Sequence, residues 1–278
     1  MVIRVLSVLS ILFASFLPSG QKAVELIEKM TEAIDNVHKL TYTMHKQERI
    51  EGELAEQKVN VKMQTSPFKV YLKQEFPKEG LEVLYVEGKN NGKAYVNTNG
   101  FPWVTLRLKP LGQRMREGQH HSLLESGFKH IGDIVDYQVH AIKSKDKVKL
   151  LKDEVVGDQQ CYHIVYDNPD FTFEEYTVKE GEDVMSIAKL LYVNAYMILE
   201  KNDDISWYDD VKAGQVIKVP NVYAKKLDMY IGKESKLPVK LLVYDDQGLF
   251  QQYEYQNVDI NPAFDENTFV KTNKDYGF

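Results

Sequence analysis

The sequence predicts an α+β fold: an antiparallel sheet with helices on one face, into which a small strand–helix–helix–strand unit is inserted. Three observations lead there. Apolar and polar residues alternate through much of 40–108, 148–166 and 227–255, as in strands with one buried face. Helical spacing replaces this alternation near the N-terminus and between 112 and 144,. The strand pattern also stops at about Asn168 and resumes at about Ala224, with a complete small pattern between them.

In chain order, MVIRVLSVLSILFASFLPSG carries Arg4, an apolar run from Val5 to Leu17, and then Pro18-Ser19-Gly20. Residues 1–20 therefore read as a secretory signal peptide. The run is shorter than the ~20 residues of a comfortable membrane span; a retained anchor is the alternative. No cysteine follows it, which argues against lipoprotein processing. Cys161 is the single cysteine and has no internal disulfide partner. Export without disulfides fits a bacterial periplasm or cell envelope. The net charge of −6 argues against a nucleic-acid partner,.

Val24, Ile27, Met30, Ile34 and Val37 mark one face of a helix over about 23–38,. Val59-Val61-Met63, Phe68-Val70-Leu72 and Leu81-Val83-Tyr85 then alternate between breakers at Gly52, Pro67, Pro77-Gly80 and Gly88,. Such short spacing favours antiparallel neighbours over crossovers. Met115, Leu123, Phe128, Ile131, Ile134, Val135 and Val139 return to helical spacing. Strands follow at 148–150 and 161–166. After the interruption, 227–231, 239–243 and 250–255 alternate again, the last two joined by an Asp245-Asp246-Gln247-Gly248 hairpin turn,.

Within the interruption, Tyr176 and Val178 form a short strand closed by Gly181. Val184, Ile187, Ala188 and Leu191 make a helix capped by Asp183, and 195–201 make a second capped by Asn194,. Asn202-Asp203-Asp204 breaks it, and Val216 to Val219 is a last strand closed by Pro220. First and last strands are expected to pair, so the unit's two ends meet and a host loop can accept it. The expected organisation is a host of residues 21–170 and 222–278 with an insert at 175–220.

The stretches Tyr176-Thr177-Val178-Lys179-Glu180-Gly181-Glu182, Ser186-Ile187-Ala188, Asn202 and Lys212-Ala213-Gly214-Gln215-Val216-Ile217-Lys218-Val219-Pro220 resemble a LysM module. The resemblance implies binding of glycans that contain N-acetylglucosamine, chiefly peptidoglycan and chitin, in a groove between two loops. Carried over, the contacts are Gly181, Glu182, Asp183, Val184, Met185, Asn202, Asp203, Asp204, Ile205 and Trp207. The chain departs from the family at Glu182-Asp183, where a hydroxyl usually follows the acid, and at Tyr192-Val193, which replaces a small turn. Trp207 could stack on a sugar face or pack the module against its host.

The host's element order over about 23–269 resembles the LolA-like lipoprotein-carrier superfamily. It is clearest from Tyr244-Asp245-Asp246-Gln247-Gly248 through Tyr253 to Val258, Asn261-Pro262-Ala263-Phe264 and Phe269. The resemblance implies a curved half-barrel sheet with helices on its concave face, holding an acyl chain or another hydrophobic partner, lipid or lipoprotein. Its wall would include Ile27, Met30, Ile34, Val83 and Tyr85. Read as residues alone, such stripes are ordinarily filled core.

His120, His121, Glu125 and His130 are the remaining constellation. His121 and Glu125, four apart, would share a helical face and could ligate a metal or form an acid–base couple. No His-Glu-x-x-His motif or evident third ligand supports this. A cap or surface network is the preferred reading, with no metal, cofactor or catalytic residue expected. The chain is thus expected to be an exported binding protein. An enzyme acting on cell-wall glycan through Glu125 and its histidines is one alternative, and a non-catalytic envelope scaffold is another. An open apolar concavity would favour the first, a cleft joining Glu125 to His121 the second, and a closed core with a blocked groove the third.

Overall fold

The computed structural model of the chain describes residues 19–101, 103–141 and 147–278. The expected leader lies outside them except for Ser19 and Gly20, which open the first helix. The elements begin with α1 (Ser19–Asp35) and a run of strands, β1 (Lys39–Ile50), β2 (Glu53–Gln64), β3 (Lys69–Phe76), β4 (Glu82–Val86), β5 (Ala94–Asn97) and β6 (Leu106–Leu108). The single turn α2 (Gln113–Arg116) and α3 (Lys129–Ala141) come next, then β7 (Val148–Leu150), β8 (Glu154–Val156) and β9 (Gln159–Asp167). The chain continues with β10 (Phe173–Thr177), α4 (Val184–Leu191), α5 (Ala195–Lys201) and β11 (Val216–Pro220). It closes with β12 (Lys226–Gly232), β13 (Pro238–Asp245) and β14 (Gly248–Ile260).

Twelve strands form one sheet in the order β6-β5-β4-β3-β2-β1-β14-β13-β12-β9-β7, with β8 also on β9. Every pairing is antiparallel. The ends β6 and β7 do not pair, so the sheet is open. It is also bent. β6 and β14 lie six strand spacings apart, ~29 Å in a flat sheet, yet residues of both line one cavity.

The register explains which residues face inward. Tyr42, Val61, Leu72, Val83, Val96 and Leu106 stand opposite one another across β1 to β6 and form one row. Tyr255, Met44, Val59 and Gln74 form the adjoining row across β14 to β3.

The two helices cover only the other half of this face. Ile27 of α1 and Ile131, Ile134, Val135 and Val139 of α3 meet Val148, Ile164, Leu227 and Met229 of β7, β9 and β12, leaving a void of about 30 Å³. Gly132 permits the close helix crossing, since a Cβ there would lie 3.0 Å from Ile34 Cδ1. The C-terminal tail packs elsewhere on the sheet, where Tyr276 stacks on Tyr71 at 3.8 Å.

The helical pattern over 112–144 is realised only in part. Gly118 and Gly127 take left-handed φ values of 69° and 88°, which end a helix. Between them the chain runs extended into a 3₁₀ turn at Leu123–Glu125. His121 and Glu125 therefore do not share a helical face, because the intervening residues never complete an α-helical turn.

β9 and β12 are paired neighbours, Asp167 opposite Lys226, and the whole strand–helix–helix–strand unit lies in the connection between them. β10 and β11 pair as a separate two-stranded sheet. The unit has its own core of Val178, Val184, Ile187, Ala188, Ile198, Ile205 and Ile217. Asp183 caps α4 by accepting from Ser186 N, and Asn194 caps α5 by accepting from Tyr196 N.

Candidate functional site

The half of the concave face that α1 and α3 leave uncovered bounds a cavity of about 730 Å³, within the roughly 300–1,000 Å³ of small-molecule sites. Its floor is the two rows of sheet residues. Its far edge is Leu106 and Leu108, and its roof is the irregular segment from Arg114 to Ile131. Apolar side chains dominate the floor because every second residue of β1 to β5 points this way.

One end of the cavity is polar. Lys46 and Glu48 continue the inward phase of β1 after Tyr42 and Met44, although both are charged. Each is nearly fully buried. Lys46 Nζ donates to Glu48 Oε2 at 2.7 Å and to Gln119 Oε1 at 2.6 Å. The Tyr253 hydroxyl and His120 N also donate to Glu48. Burial opposes charge on Glu48, but Lys46, His120 and His121 outweigh it and hold the carboxyl down at about 2. Burial and the adjoining Glu48 carboxylate push the Tyr253 hydroxyl well above its usual range.

Glu48 titrates near 4.5 when unfolded, so its stabilising contribution is complete above that pH and is lost as pH falls towards 2,. The loss is on the order of 3 kcal/mol. Glu48→Gln is expected to be less stable at neutral pH and to show a shallower fall in unfolding free energy on acidification. Denaturant melts over a pH series measure this, and an unchanged acid slope would contradict it.

Beside this pair, Glu125 closes a capping box with Ser122, accepting from Ser122 N at 2.5 Å. His121 Nδ1 and His130 Nε2 approach its two oxygens at 3.8 and 3.7 Å, and Arg116 Nη1 lies 3.6 Å away. Burial opposes ionisation of Glu125, yet His121, His130 and the Ser122 N–H hold its carboxyl well below the usual range. Burial, reinforced by His121, lowers His130 to about 4. The third partner is His130, named in the same constellation but out of helical register with His121 and Glu125, and brought back by the Gly127 turn. His120 is not part of this group; its ring stacks on Tyr196 and on Phe250 at 4.7 and 4.1 Å.

Of the expected hydrophobic wall, Val83 lines the cavity. Tyr85 is half-buried against Phe68 on the same face of β4, beyond the lining residues. Ile27, Met30 and Ile34 are buried core and do not line it, because α1 sits over the opposite half of the sheet. Tyr42, Met44, Val59, Val61, Leu72, Tyr253 and Tyr255 were missed. Their signal was the unbroken inward phase of β1, which ends on Lys46 and Glu48.

In the inserted unit, Gly181, Asp203 and Asp204 are exposed, and Glu182, Asp183, Met185 and Trp207 are half-buried. Val184 and Ile205 belong to its core. Asn202 is buried and ties α5 to β11, donating to Ile198 O and Lys218 O and accepting from Lys218 N. Its side chain is thus committed to structure. Trp207 meets Tyr208 edge-on at 4.9 Å, and Tyr208 lies under the Arg116 guanidinium at 4.4 Å. The unit is docked on the host at further points. Arg49 of β1 grips Glu200 of α5 at 2.9 and 2.7 Å and also bonds Asp245. Tyr192 stacks on Tyr137 at 3.9 Å, and Tyr196 OH accepts from Glu51 N.

Among the described residues no helix is long and apolar enough to cross a membrane. The family model described as "Protein of unknown function (DUF1571)" matches residues 37–182, just over half the chain. No curated protein matches the sequence. Among solved structures, an uncharacterised conserved protein from Thermus thermophilus is 10% identical at a TM-score of 0.41, the match covering 92% of this chain and 96% of that one. The Mycobacterium tuberculosis lipoprotein LppX is 11% identical at 0.43, covering 88% and 98%. A LolA superfamily protein from Nitrosomonas europaea is 11% identical at 0.33, covering 90% and 97%. At these identities and scores the likeness says nothing about ligand or partner.

Proposed function

The chain belongs to the DUF1571 family of proteins of unknown function, and we propose that it is an exported, non-catalytic binding protein. In this reading its open cavity holds the acyl chain of a lipid or lipoprotein. The observation that carries it is the continuous apolar floor across β1 to β6, ending at Lys46 and Glu48. A chain laid along that floor would bury methylenes at about 0.8 kcal/mol each. Ten would supply about 8 kcal/mol before the cost of ordering. The polar end then receives a carboxyl or head group. Purified, delipidated protein titrated with a fluorescent fatty acid tests this. Saturable one-to-one uptake, competed by palmitate, is expected; its absence would end the proposal.

The alternative, glycan cleavage by Glu125, has the cleft it requires, since Glu125 and His121 meet in the cavity, but a general acid there needs a raised pKa. The surroundings of Glu125 push the opposite way. Muropeptide release by the wild type that disappears in Glu125→Gln would revive it.

The inserted unit is proposed to be a LysM module that holds the protein on N-acetylglucosamine glycan, chiefly peptidoglycan. Its separate core and paired terminal strands support the reading, as does the exposure of Gly181, Asp203 and Asp204. The full chain is expected to sediment with purified peptidoglycan. A variant carrying Met185→Glu and Trp207→Ala is expected to stay in the supernatant with its circular dichroism unchanged. Equal sedimentation of both proteins would remove the glycan groove from the account.

A further inference from the structure

We propose that His121, Glu125 and His130 bind a divalent transition-metal ion of the zinc class at the polar end of the cavity. Their ligand atoms, one from each side chain, lie within 4.8 Å of one another. Zinc holds nitrogen and oxygen ligands at about 2.0–2.2 Å, so closing on an ion takes side-chain shifts of about 1 Å. The His121 and His130 rings cross edge to face, their centroids 4.9 Å apart.

The surroundings fix the ligands as outer partners of a metal site do. Tyr223 OH lies 3.4 Å from His121 Nε2 and can accept its N–H. This engages that edge and leaves Nδ1 towards Glu125. Ser122 N bonds Glu125 Oε2, and Arg116 stands on that same oxygen. Oε1 is left facing His130. Two imidazoles and one carboxylate suit zinc, cobalt(II) or iron(II) rather than calcium or magnesium. All three residues line the cavity. An ion with three protein ligands thus keeps a position open to whatever the cavity holds, such as a carboxylate head group. The site stands whether or not an acyl chain is the cavity's occupant.

The test uses the full chain, stripped with chelator and titrated by calorimetry with Zn²⁺ alone. One equivalent is expected to bind, Ca²⁺ is not, and Co²⁺ is expected to give visible absorption of low-symmetry coordination. His121→Gln and His130→Gln are expected to lose stoichiometric uptake. Tyr223→Phe is expected to weaken binding about 10–100-fold. Metal-free thermal melts check that each variant folds. If His121→Gln does not fold, His130→Gln carries the test, because its side chain is 34% exposed. Sub-stoichiometric zinc uptake by the wild type overturns the proposal, as does wild-type affinity in His130→Gln.

Discussion

Replacing Arg49 by alanine is expected to destabilise the protein by about 3–5 kcal/mol, the range for breaking a buried ion pair from one side. Arg49 bridges Glu200 of the inserted unit and Asp245 of the sheet, with only 7% of its side chain exposed. Removing it leaves Asp245, whose side chain is 1% exposed, without that counter-charge. Thermal unfolding should fall on the order of 10 °C. Limited proteolysis should then cut the connections near 168–172 and 221–225 that hold the unit. The loss should come from the orphaned acids rather than from the missing attraction. A triple variant, Arg49→Met with Glu200→Met and Asp245→Leu, should therefore recover much of the stability. Arg49→Ala that melts like the wild type would mean the unit is not held by this contact.

The second large effect concerns the cavity. Val83→Trp projects an indole from the centre of the apolar floor into open volume. Displacing two or three methylenes of a bound chain, at about 0.8 kcal/mol each, weakens fatty-acid binding on the order of 30-fold. Stability should hold or rise, since Val83, though only 4% exposed, borders the cavity and the indole can extend into it. The same change at Met229, 1% exposed beneath α1 and α3, should instead cost about 1–3 kcal/mol through overpacking. Opposite responses at the two positions distinguish an open half of the sheet from a filled one. Destabilisation at both would show that the cavity closes in solution.

These residues also show how far the sequence carried. Alternation gave the strands and their antiparallel neighbours because burial of one face imposes period two on strands such as β2, β5 and β13. The insert's caps were equally legible, since Asp183 and Asn194 act within a few residues of themselves. The position of α1 was not. Ile27, Met30 and Ile34 are apolar whether the helix covers the left or the right half of the sheet. That choice is made by its packing on α3 and β7, which no local pattern encodes. The cluster at Glu125 failed for a related reason. Helical spacing suggested a shared face for His121 and Glu125, but Gly118 and Gly127 break the helix. A capping-box turn brings the same residues together and adds His130 from the start of α3. Lys46 and Glu48 were visible in principle, as two charges in phase with an apolar face.

In the proposed function the uncovered half of the concave face receives an acyl chain. A photoreactive fatty acid cross-linked to the full chain, with the labelled peptides identified by mass spectrometry, tests it most directly. Saturable labelling of the peptides that carry Val59 to Leu72 and Leu106 to Met115 is the predicted result, suppressed by excess palmitate and by Val83→Trp. Labelling confined to the inserted unit or to α1, or labelling that palmitate does not suppress, would contradict it.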